Sequence, residues 1–507
     1  MEQIIKVHPL DNVAIPVRDI PAGTEAAPGI RTLADIPQGH KIALKDFKKG
    51  DDVIRYGVAL GRLVTDVKTG GLIDEYSMEA ILPQDFPAAK NTTRALTGTI
   101  DGGTEHLPHS FEGYEIPGNK FAGVRNILGI MTTVQCVAGV VNTALEKIKT
   151  GLLPRYPNVH DVTVINHSYG CGCTMGTPDS AIPVRTLKNL LHNPNFGGEI
   201  MVIALGCEKL TLDMLLEPNE NNSDNVIILQ EKTGFRAMTD AILSMAEKKL
   251  QKLNLKKRVI LPLEKLCVGM QCGGSDAFSG ITANPAAGYA SDLLIRAGGT
   301  VLFSETTEVR DGARFIAGRC ENRELAGKFW EEINWYDAYL KRGGADTSAN
   351  PSPGNIAGGL SNIMEKTMGA IAKSGNAPIS GILSPGERVS QKGLIFAATP
   401  ASDFHCGALQ VASGITLQVF MTGRGTPYGL AAAPVIKVSS RTELKDFWDD
   451  LIDINAGTIA EGKETVQKAG EAIFKMIADT ASGRYTPYSE RYRLYNDICL
   501  FDPAPVT

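Results

Sequence analysis

The sequence predicts an α/β protein that begins with a small all-β module. Beyond residue 118, apolar runs of strand length recur between segments with helical spacing, which is typical of a mostly parallel sheet covered by helices. Before residue 86, the apolar segments are short, alternating and broken by turns, as antiparallel strands are. At 507 residues the chain is too long for one core, so we expect about three domains.

The domains are divided where this pattern changes. Residues 1–86 are predicted to form the β module, and residues 87–117, rich in Pro, Asn, Thr and Gly, a linker. Residues 118–258 are predicted to form a second α/β domain that ends at a lysine-rich turn. Residues 259–507 then form a C-terminal α/β domain, whose right-handed crossovers gather the strand ends on one edge.

The composition excludes some classes of function. A net charge of -5 gives no basic footprint, so we expect no binding to nucleic acid or acidic lipid. No apolar run approaches the ~20 residues that span a bilayer, and the N-terminus lacks a signal pattern. We therefore expect a cytoplasmic protein that acts on a small molecule. Its nine cysteines are expected to be thiols or metal ligands rather than disulfides.

The most informative loop follows the apolar run at residues 266–270. It contains Cys272, two glycines, Ser275 and Asp276. Ligands of open α/β sheets bind past the carboxyl ends of the strands, so these side chains lie where a site is expected. Taken alone, the loop is better explained as a tight turn with a buried cysteine.

The same arrangement recurs, because four apolar runs end in a cysteine: Cys136, Cys171, Cys207 and Cys272. Thiolates from separate strand ends could bind a soft metal or an iron–sulfur cluster, which needs no fixed sequence spacing. The alternative is that each cysteine is a small buried hydrophobe. The strand ends of a wide sheet can also lie too far apart for their thiols to bind one metal centre. The remaining five cysteines are interpreted as packing residues.

Carboxylates just past strands indicate a second kind of metal site. Asp276 and Glu305, with Glu208 and Glu308, could hold a divalent ion together with substrate oxygens. Capping of the next helix is the alternative for Asp276 and Glu308. Arg424 lies between two glycines, where a guanidinium suits bidentate binding of a carboxylate or phosphate.

A set of long motifs runs through nearly the whole chain. They are Gly-His-Lys at 39–41, Gly-Val-Arg-Asn at 123–126, Ser-Tyr-Gly-Cys at 168–171, Gly-Cys-Glu at 206–208, Cys-Gly-Gly-Ser-Asp-x-x-Ser-Gly-Ile-Thr-Ala-Asn-Pro at 272–285, Asn-Pro-Ser-Pro-Gly-Asn at 350–355 and Thr-Gly-Arg-Gly-Thr-Pro-Tyr-Gly at 422–429. Together these motifs resemble the altronate and galactarate dehydratases.

The resemblance implies a fold and an activity. It implies that the N-terminal module is a β-clip domain, that the second domain serves dimerisation in a homodimer, and that the C-terminal domain is Rossmann-like without a dinucleotide. It also implies a hydro-lyase that depends on ferrous iron, Fe(2+), either as a single ion or in an iron–sulfur cluster. The strings at 308–311, 398–404 and 502–507 favour galactarate, converted to 5-dehydro-4-deoxy-D-glucarate, over altronate or another aldarate.

Within this resemblance we assign roles as hypotheses. Elimination of water needs a base for the α-proton and an acid for the leaving hydroxyl, and the candidates are His167, then Glu208 and Lys209. Candidates for substrate binding carry polar side chains in the motif loops: Arg424, Arg125, Lys41 as a movable clamp, His40, Ser275 and Asn355. Candidates for metal binding are the strand-end thiols and carboxylates: Cys136, Cys171, Cys207, Cys272, Asp276 and Glu305.

Two other classes of function are weaker. A non-catalytic sensor of sugar diacids would not need thiols at four strand ends. An NAD-linked oxidoreductase is disfavoured because the glycines at 423, 425 and 429 have one residue too many for the dinucleotide fingerprint, and Pro427 stands where a helix should begin.

Overall fold

The computed structural model describes residues 3–81, 97, 100, 103–345 and 350–505. It confirms the predicted α/β class, with small antiparallel sheets at the N-terminus and a wide parallel sheet at the C-terminus. Most of the predicted linker lies outside the described residues, and the domain boundaries stay predictions.

The N-terminal module (residues 3–81) is built from short antiparallel strands. Their bounds are β1 Ile4–Ile5, β2 Val13–Pro16, β3 Glu25–Ala27, β4 Ile30–Arg31, β5 Lys41–Ala43, β6 Asp52–Arg55, β7 Val58–Leu63, β8 Leu72–Ile73 and β9 Met78–Ala80. One sheet has the order β1-β2-β5-β8, a second has the order β6-β7-β9, and β3 pairs with β4. Of the motif residues at 39–41, Lys41 begins β5, and the other two form the turn before it.

The middle of the chain forms a four-stranded parallel sheet in the order β12-β11-β13-β14. Its strands are β11 Ile127–Thr132, β12 Asp161–Ile165, β13 Val202–Ala204 and β14 Val226–Ile228, and its helices are Ala138–Lys147, Ala181–Leu191, Leu212–Leu215 and Gly234–Asn254. Beside it, β10 Ser110–Gly113 pairs antiparallel with β15 Val259–Pro262. The longest helix buries Ile242, Ala246, Leu250 and Leu253, which are spaced by three or four residues and therefore share one face.

The C-terminal region contains a seven-stranded, all-parallel sheet in the order β18-β19-β17-β16-β20-β21-β22. The strands are β16 Cys267–Cys272, β17 Thr300–Phe303, β18 Ile379–Leu383, β19 Gly393–Ala397, β20 Leu417–Thr422, β21 Val435–Ser439 and β22 Ile454–Asn455. The α-helices are Ala283–Arg296, Thr306–Val309, Ala313–Ala317, Arg323–Arg342, Pro353–Ala357, Ile363–Ala372, Asp403–Ser413, Thr442–Phe447, Val466–Ala481 and Tyr488–Arg491. Because helices cover both faces, the central strands are buried along their whole length.

Three strands that extend this sheet, β18, β21 and the two-residue β22, were not singled out from the sequence. Gly381 interrupts the apolar run of β18, and the buried Lys437 interrupts that of β21. Local hydrophobicity therefore understates both strands. Within the described residues, no helix combines the length and apolar character needed to cross a membrane.

Candidate active site

Three buried side chains that can act as metal ligands meet at the C-terminal edge of the central sheet. Cys272 ends β16, and Glu305 and Glu308 follow β17. One ligand atom of each lies within 4.8 Å of the others. Among the residues that the structure describes, this buried triad is the one group of three or more His, Cys, Asp or Glu side chains that meets this distance.

Two lysines neutralise the buried triad, and both belong to the helix Ile363–Ala372 or its C-cap. Lys373 Nζ lies 2.6 Å from Glu305 Oε2 and 3.1 Å from Cys272 Sγ. Lys366 Nζ lies 2.8 Å from Glu308 Oε1. The two lysines are seven residues apart, about two helical turns, so they share one face. We call this helix the site helix.

The protonation of the triad follows from burial and from these charges. Burial and the neighbouring Glu308 raise the pKa of Glu305 to about 8. Burial also raises the pKa of the Cys272 thiol to about 12. Burial opposes the charged form of Glu308, but Lys366 and Lys373 outweigh it and lower the pKa of that carboxyl. The pKa values of the two adjacent carboxyl groups are therefore shifted in opposite directions.

Glu305 also has an unusual backbone. Its φ of 78° is in the left-handed region, which few residues other than glycine adopt. Its amide donates to Thr399 Oγ1 at 3.1 Å, at the end of β19. Strained backbone of this kind persists only where the surrounding structure holds it in place, and it is concentrated at functional sites.

Asp403 is a further carboxyl group at this edge, at the start of the helix Asp403–Ser413. It is half-buried, and Gln271 Nε2 donates to its Oδ1 at 3.2 Å. Burial and the charge of Glu308 raise its pKa to about 6. Its carboxylate lies against Gly273, where a Cβ would collide with it. The glycine after Cys272 therefore allows Asp403 to approach the strand end.

Three residues predicted to bind substrate lie in neighbouring loops at this edge, and one of them contacts Lys366. Asn355 Nδ2 donates to the carbonyl of Ser275 at 2.8 Å, and Lys366 Nζ donates to Asn355 Oδ1 at 3.3 Å. Arg424 is exposed, and its amide donates to the carbonyl of Gly274 at 2.9 Å. The structure thus places an accessible guanidinium at the rim of the charged edge.

Asp276, predicted as a metal ligand, shapes the same loop. Its Oδ1 accepts hydrogen bonds from the amides of Phe278 and Ser279 and from Ser440 Oγ. Arg441 Nε lies 2.9 Å from its Oδ2. These contacts are those of an Asx-turn closed by an ion pair. Metal binding by Asp276 stays a prediction.

The N-terminal module brings Lys41 to the site helix. Lys41 is fully buried, and its Nζ lies 2.7 Å from Glu365 Oε2. The same ammonium donates to the carbonyl of Gly359 and to Ser361 Oγ. His40 is half-buried on the adjoining turn. Binding of substrate by Lys41 and His40 stays a prediction.

The other three strand-end cysteines lie on the smaller sheet. Cys136, Cys171 and Cys207 are exposed, and they follow β11, β12 and β13, which are neighbours. Their loops touch, because the Lys209 amide donates to the carbonyl of Gly170 at 2.9 Å. The four strand-end cysteines therefore divide between two sheets, three on one and Cys272 on the other.

The predicted acid–base residues lie at the same edge of the smaller sheet. His167 is buried, its Nε2 donates to the carbonyl of Thr132 at 2.7 Å, and burial lowers its pKa. Glu208 accepts hydrogen bonds from Thr133 Oγ1 and from the amides of residues 205–207. Burial alone would raise the pKa of Glu208, but these hydrogen bonds lower it overall. Lys209 is exposed beside them.

Arg125 is not brought to either strand-end edge. It precedes β11, at the opposite end of that strand from Cys136. Its guanidinium is buried and forms a bidentate ion pair with Glu490 at 2.6 Å. It also donates to the carbonyls of Val124 and Thr480. Its predicted role in binding substrate is untested.

Comparison with known families adds direct evidence. Residues 2–80 match the altronate/galactarate dehydratase SAF domain, residues 113–254 the second domain of D-galactarate dehydratase/altronate hydrolase, and residues 263–506 the D-galactarate/altronate dehydratase C-terminal domain. The chain is 51% identical to the galactarate dehydratase (L-threo-forming) of Escherichia coli K12, over 99% of this chain and 97% of that protein. The chain belongs to the D-galactarate/altronate dehydratase family.

Relatives of lower sequence identity to this chain differ in activity. An altronate dehydratase of Bacillus subtilis 168 is 32% identical over 99% of both chains. A (2R)-sulfolactate sulfo-lyase subunit beta of Chromohalobacter salexigens is 28% identical, over 73% of this chain and 95% of that protein. Both names describe lyases, in keeping with an elimination.

Sequence analysis of this dehydratase did not find Lys366, Lys373 or Asp403 as site residues. The two lysines stand in a mostly apolar helical segment that also contains Glu365, and their spacing of seven residues was a usable signal. Asp403 lies in the string at 398–404, just past the apolar run at residues 394–398, and this position after a predicted strand was a usable signal.

Proposed function

We propose that this protein is a galactarate dehydratase, which eliminates water from galactarate to give 5-dehydro-4-deoxy-D-glucarate. The observation that carries the proposal is the 51% identity over 99% of the chain to a galactarate dehydratase. The identity to an altronate dehydratase is 32% over the same share. Galactarate is therefore the first substrate to test, and altronate or another aldarate the second.

The charged edge of the central sheet offers the groups that the reaction needs. The exposed Arg424, whose side chain approaches the loop of Asn355, can form bidentate hydrogen bonds with a substrate carboxylate. Asp403 is the half-buried carboxylate next to this rim, so it can accept the α-proton when it is ionised. His167 and Glu208 remain candidates for proton transfer at the edge of the smaller sheet.

Iron is proposed as the cofactor, and the buried triad is the site whose geometry supports it best. One thiol and two carboxylates are a donor set that suits ferrous iron. The ammonium of Lys373 lies among these donors, which indicates that the position stabilises a cation. Bound iron would supply Lewis-acid stabilisation of a carboxylate or hydroxyl oxygen.

A second candidate is an iron–sulfur cluster bound by Cys136, Cys171 and Cys207. These thiols are exposed at three neighbouring strand ends. As described, they do not form a group within 4.8 Å. Metal–sulfur bonds of about 2.3 Å would place the thiolates of one tetrahedral ion about 3.8 Å apart. The three thiols are therefore not arranged for a single tetrahedral ion, and an iron–sulfur cluster is the metal centre proposed for that edge.

The test is anaerobic purification with ferrous iron, followed by assays for iron, acid-labile sulfide and keto-acid formed from galactarate or altronate. For the mononuclear site, we expect activity without sulfide, and loss of iron in Cys272→Ser but not in Cys171→Ser. Acid-labile sulfide that is present in proportion to iron, and that is lost in Cys171→Ser, would support the iron–sulfur cluster. Cys499→Ser is the matched control, since it lies in neither group. A protein that consumes neither sugar acid would refute the proposed activity.

We also propose a homodimer in a reducing, cytoplasmic compartment. Leu255, Val259 and Ile260 are exposed by 81%, 46% and 77%, and such a group of apolar side chains is typical of an interface. The exposed thiols of Cys136 and Cys171 are compatible with a reducing compartment. Sedimentation should give a dimer for the native protein and a monomer for Ile260→Asp.

A further inference from the structure

We propose that the N-terminal module positions the site helix, and that Lys41 and Arg55 act on the reaction through that helix. The inference rests on the proposed function, since it assumes that the elimination takes place at the charged edge of the central sheet. It assigns Lys41 a role different from the direct substrate contact that its sequence motif suggests.

The first observation is an ionic clamp between the two parts of the molecule. Glu365, in the first turn of the site helix, pairs with both Lys41 and Arg55. The side chains of Glu365 and Lys41 are fully buried, and that of Arg55 is 2% exposed. Buried charges are costly unless they are paired, so all three must stay together in the folded protein.

Further contacts fix the start of the same helix to the module. Asn362, the N-cap residue, donates from Nδ2 to the carbonyl of Leu60 at 2.9 Å. Its Oδ1 accepts from the Glu365 amide at 3.0 Å. Lys41 Nζ donates to Ser361 Oγ at 2.7 Å. The position of the first helical turn is therefore set by strands of the N-terminal module.

The second observation is what the site helix carries. Lys366 is the neighbour of Glu365 in sequence, and it pairs with Glu308. Lys373 follows two turns later and contacts Glu305 and Cys272. A helix transmits displacement of its first turn to both lysines, because its backbone hydrogen bonds make it a stiff rod. Release of the clamp should therefore move the charges that surround the buried triad.

This arrangement makes Lys41 and Arg55 positioning residues rather than catalytic residues. A residue that binds substrate directly raises KM when it is removed. A residue that holds catalytic groups in place lowers kcat instead, since misplacement by about 1 Å costs about 10²-fold in rate. The two roles of Lys41 can thus be separated by kinetics.

The experiment compares Lys41→Met with native protein and with Lys48→Met, whose exposed lysine pairs with Asp66 in the same module. We expect Lys41→Met to lower kcat on galactarate by about 10- to 100-fold with KM within about twofold of native. Lys48→Met should behave as native. A raised KM with unchanged kcat would overturn the proposal and support direct substrate binding.

A second readout does not depend on activity. Peptide-resolved alkylation, at equal iron content, should label Cys272 about tenfold faster in Lys41→Met, because displacement of the site helix opens the buried surroundings of its sulfur, and this gain in access outweighs the loss of the Lys373 charge that favours the thiolate. Cys267, buried at the other end of β16, is the internal control and should stay protected. Unchanged labelling of Cys272 would overturn the inference even if native protein proved inactive on sugar acids.

The variant Glu365→Gln covers the case in which Lys41→Met does not fold. It keeps the shape of the side chain and removes the charge that the clamp needs. We expect the same fall in kcat and the same selective labelling of Cys272. Native kcat and native labelling in a folded Glu365→Gln protein would overturn the inference. Inactivity of the native protein, with Cys272 labelled faster in the variant, would refute only the proposed function.

Discussion

Buried charges in this protein are of two kinds. At the buried triad, Lys373 is surrounded by Cys272, Glu305 and Glu308. Their effect outweighs that of burial, so the pKa of Lys373 is raised well above its ordinary value. Lys437, in the middle of β21, is equally buried, but its Nζ has no hydrogen-bond partner among the described residues. Burial lowers its pKa to about 8, although Asp453 opposes the shift. Lys373 is thus part of the candidate active site, whereas burial of Lys437 lowers the stability of the folded protein.

We expect Lys437→Met to stabilise the protein by about 1–3 kcal/mol at pH 7. Because the pKa of Lys437 is depressed in the folded state, the unfolded state binds its proton more tightly between about pH 8 and the unfolded pKa. Native stability should rise with pH across that window, and the advantage of Lys437→Met should shrink. Melting temperatures at pH 7 and pH 9.5 measure this.

The control for this prediction is Lys463→Met, which removes an exposed lysine paired with Glu461. It should change the melting temperature little at either pH, because exposed pairs contribute about 0–1 kcal/mol. An advantage of Lys437→Met that does not change with pH would mean that burial does not shift its pKa.

At the scale of secondary-structure elements, the loops that follow parallel strands set the positions of the strand-end thiols. The loop after β12 turns at Gly170, whose φ is 108°, and a Cβ there would collide with the carbonyl of Thr133 at the end of β11. This contact keeps the loop of Cys171 against the loop of Cys136. Glycine at this position is therefore required both by the backbone conformation and by the close approach.

Gly170→Ala should lower stability by roughly 1–3 kcal/mol, because it combines strained backbone with a steric clash. The matched control is Gly139→Ala in the helix Ala138–Lys147, where a Cβ meets nothing within 4 Å. That change should be neutral or stabilise by up to about 1 kcal/mol. Melting temperatures of the two variants test the contrast, and equal values would contradict it.

At the scale of the whole molecule, buried ion pairs join parts of the chain that are distant in sequence. Lys41 and Arg55 join the N-terminal module to Glu365 in the site helix. Arg125 joins the smaller sheet to Glu490 near the C-terminus. Breaking a buried pair costs more than forming it gains, so such pairs specify the arrangement of the parts.

Arg125→Lys should lower the melting temperature, corresponding to a loss of a few kcal/mol, while KM for galactarate stays within about twofold of native. Lysine keeps the charge but cannot reproduce the bidentate contact with Glu490. Arg484→Lys, at an exposed pair with Glu112, is the control and should melt as native. A raised KM in Arg125→Lys at native stability would support the predicted substrate contact instead.

Much of the fold could be predicted from the sequence, because strands and turns are encoded locally. The apolar run at residues 266–270 became β16, and the run at residues 300–303 became β17. The strings at 272–285 and 422–429 identified the family without any structure. The neighbouring positions of Ser275, Asn355 and Arg424 agree with the expectation that strand ends gather at one edge.

What only the tertiary structure decided is which distant side chains meet. Sequence patterns report the period of an element, but the order of strands in a sheet depends on packing between elements far apart in the chain. The four strand-end cysteines looked equivalent in sequence, yet three lie on one sheet and Cys272 on another. Lys373 reaches Cys272 across 101 residues of sequence, and no local pattern encodes that contact.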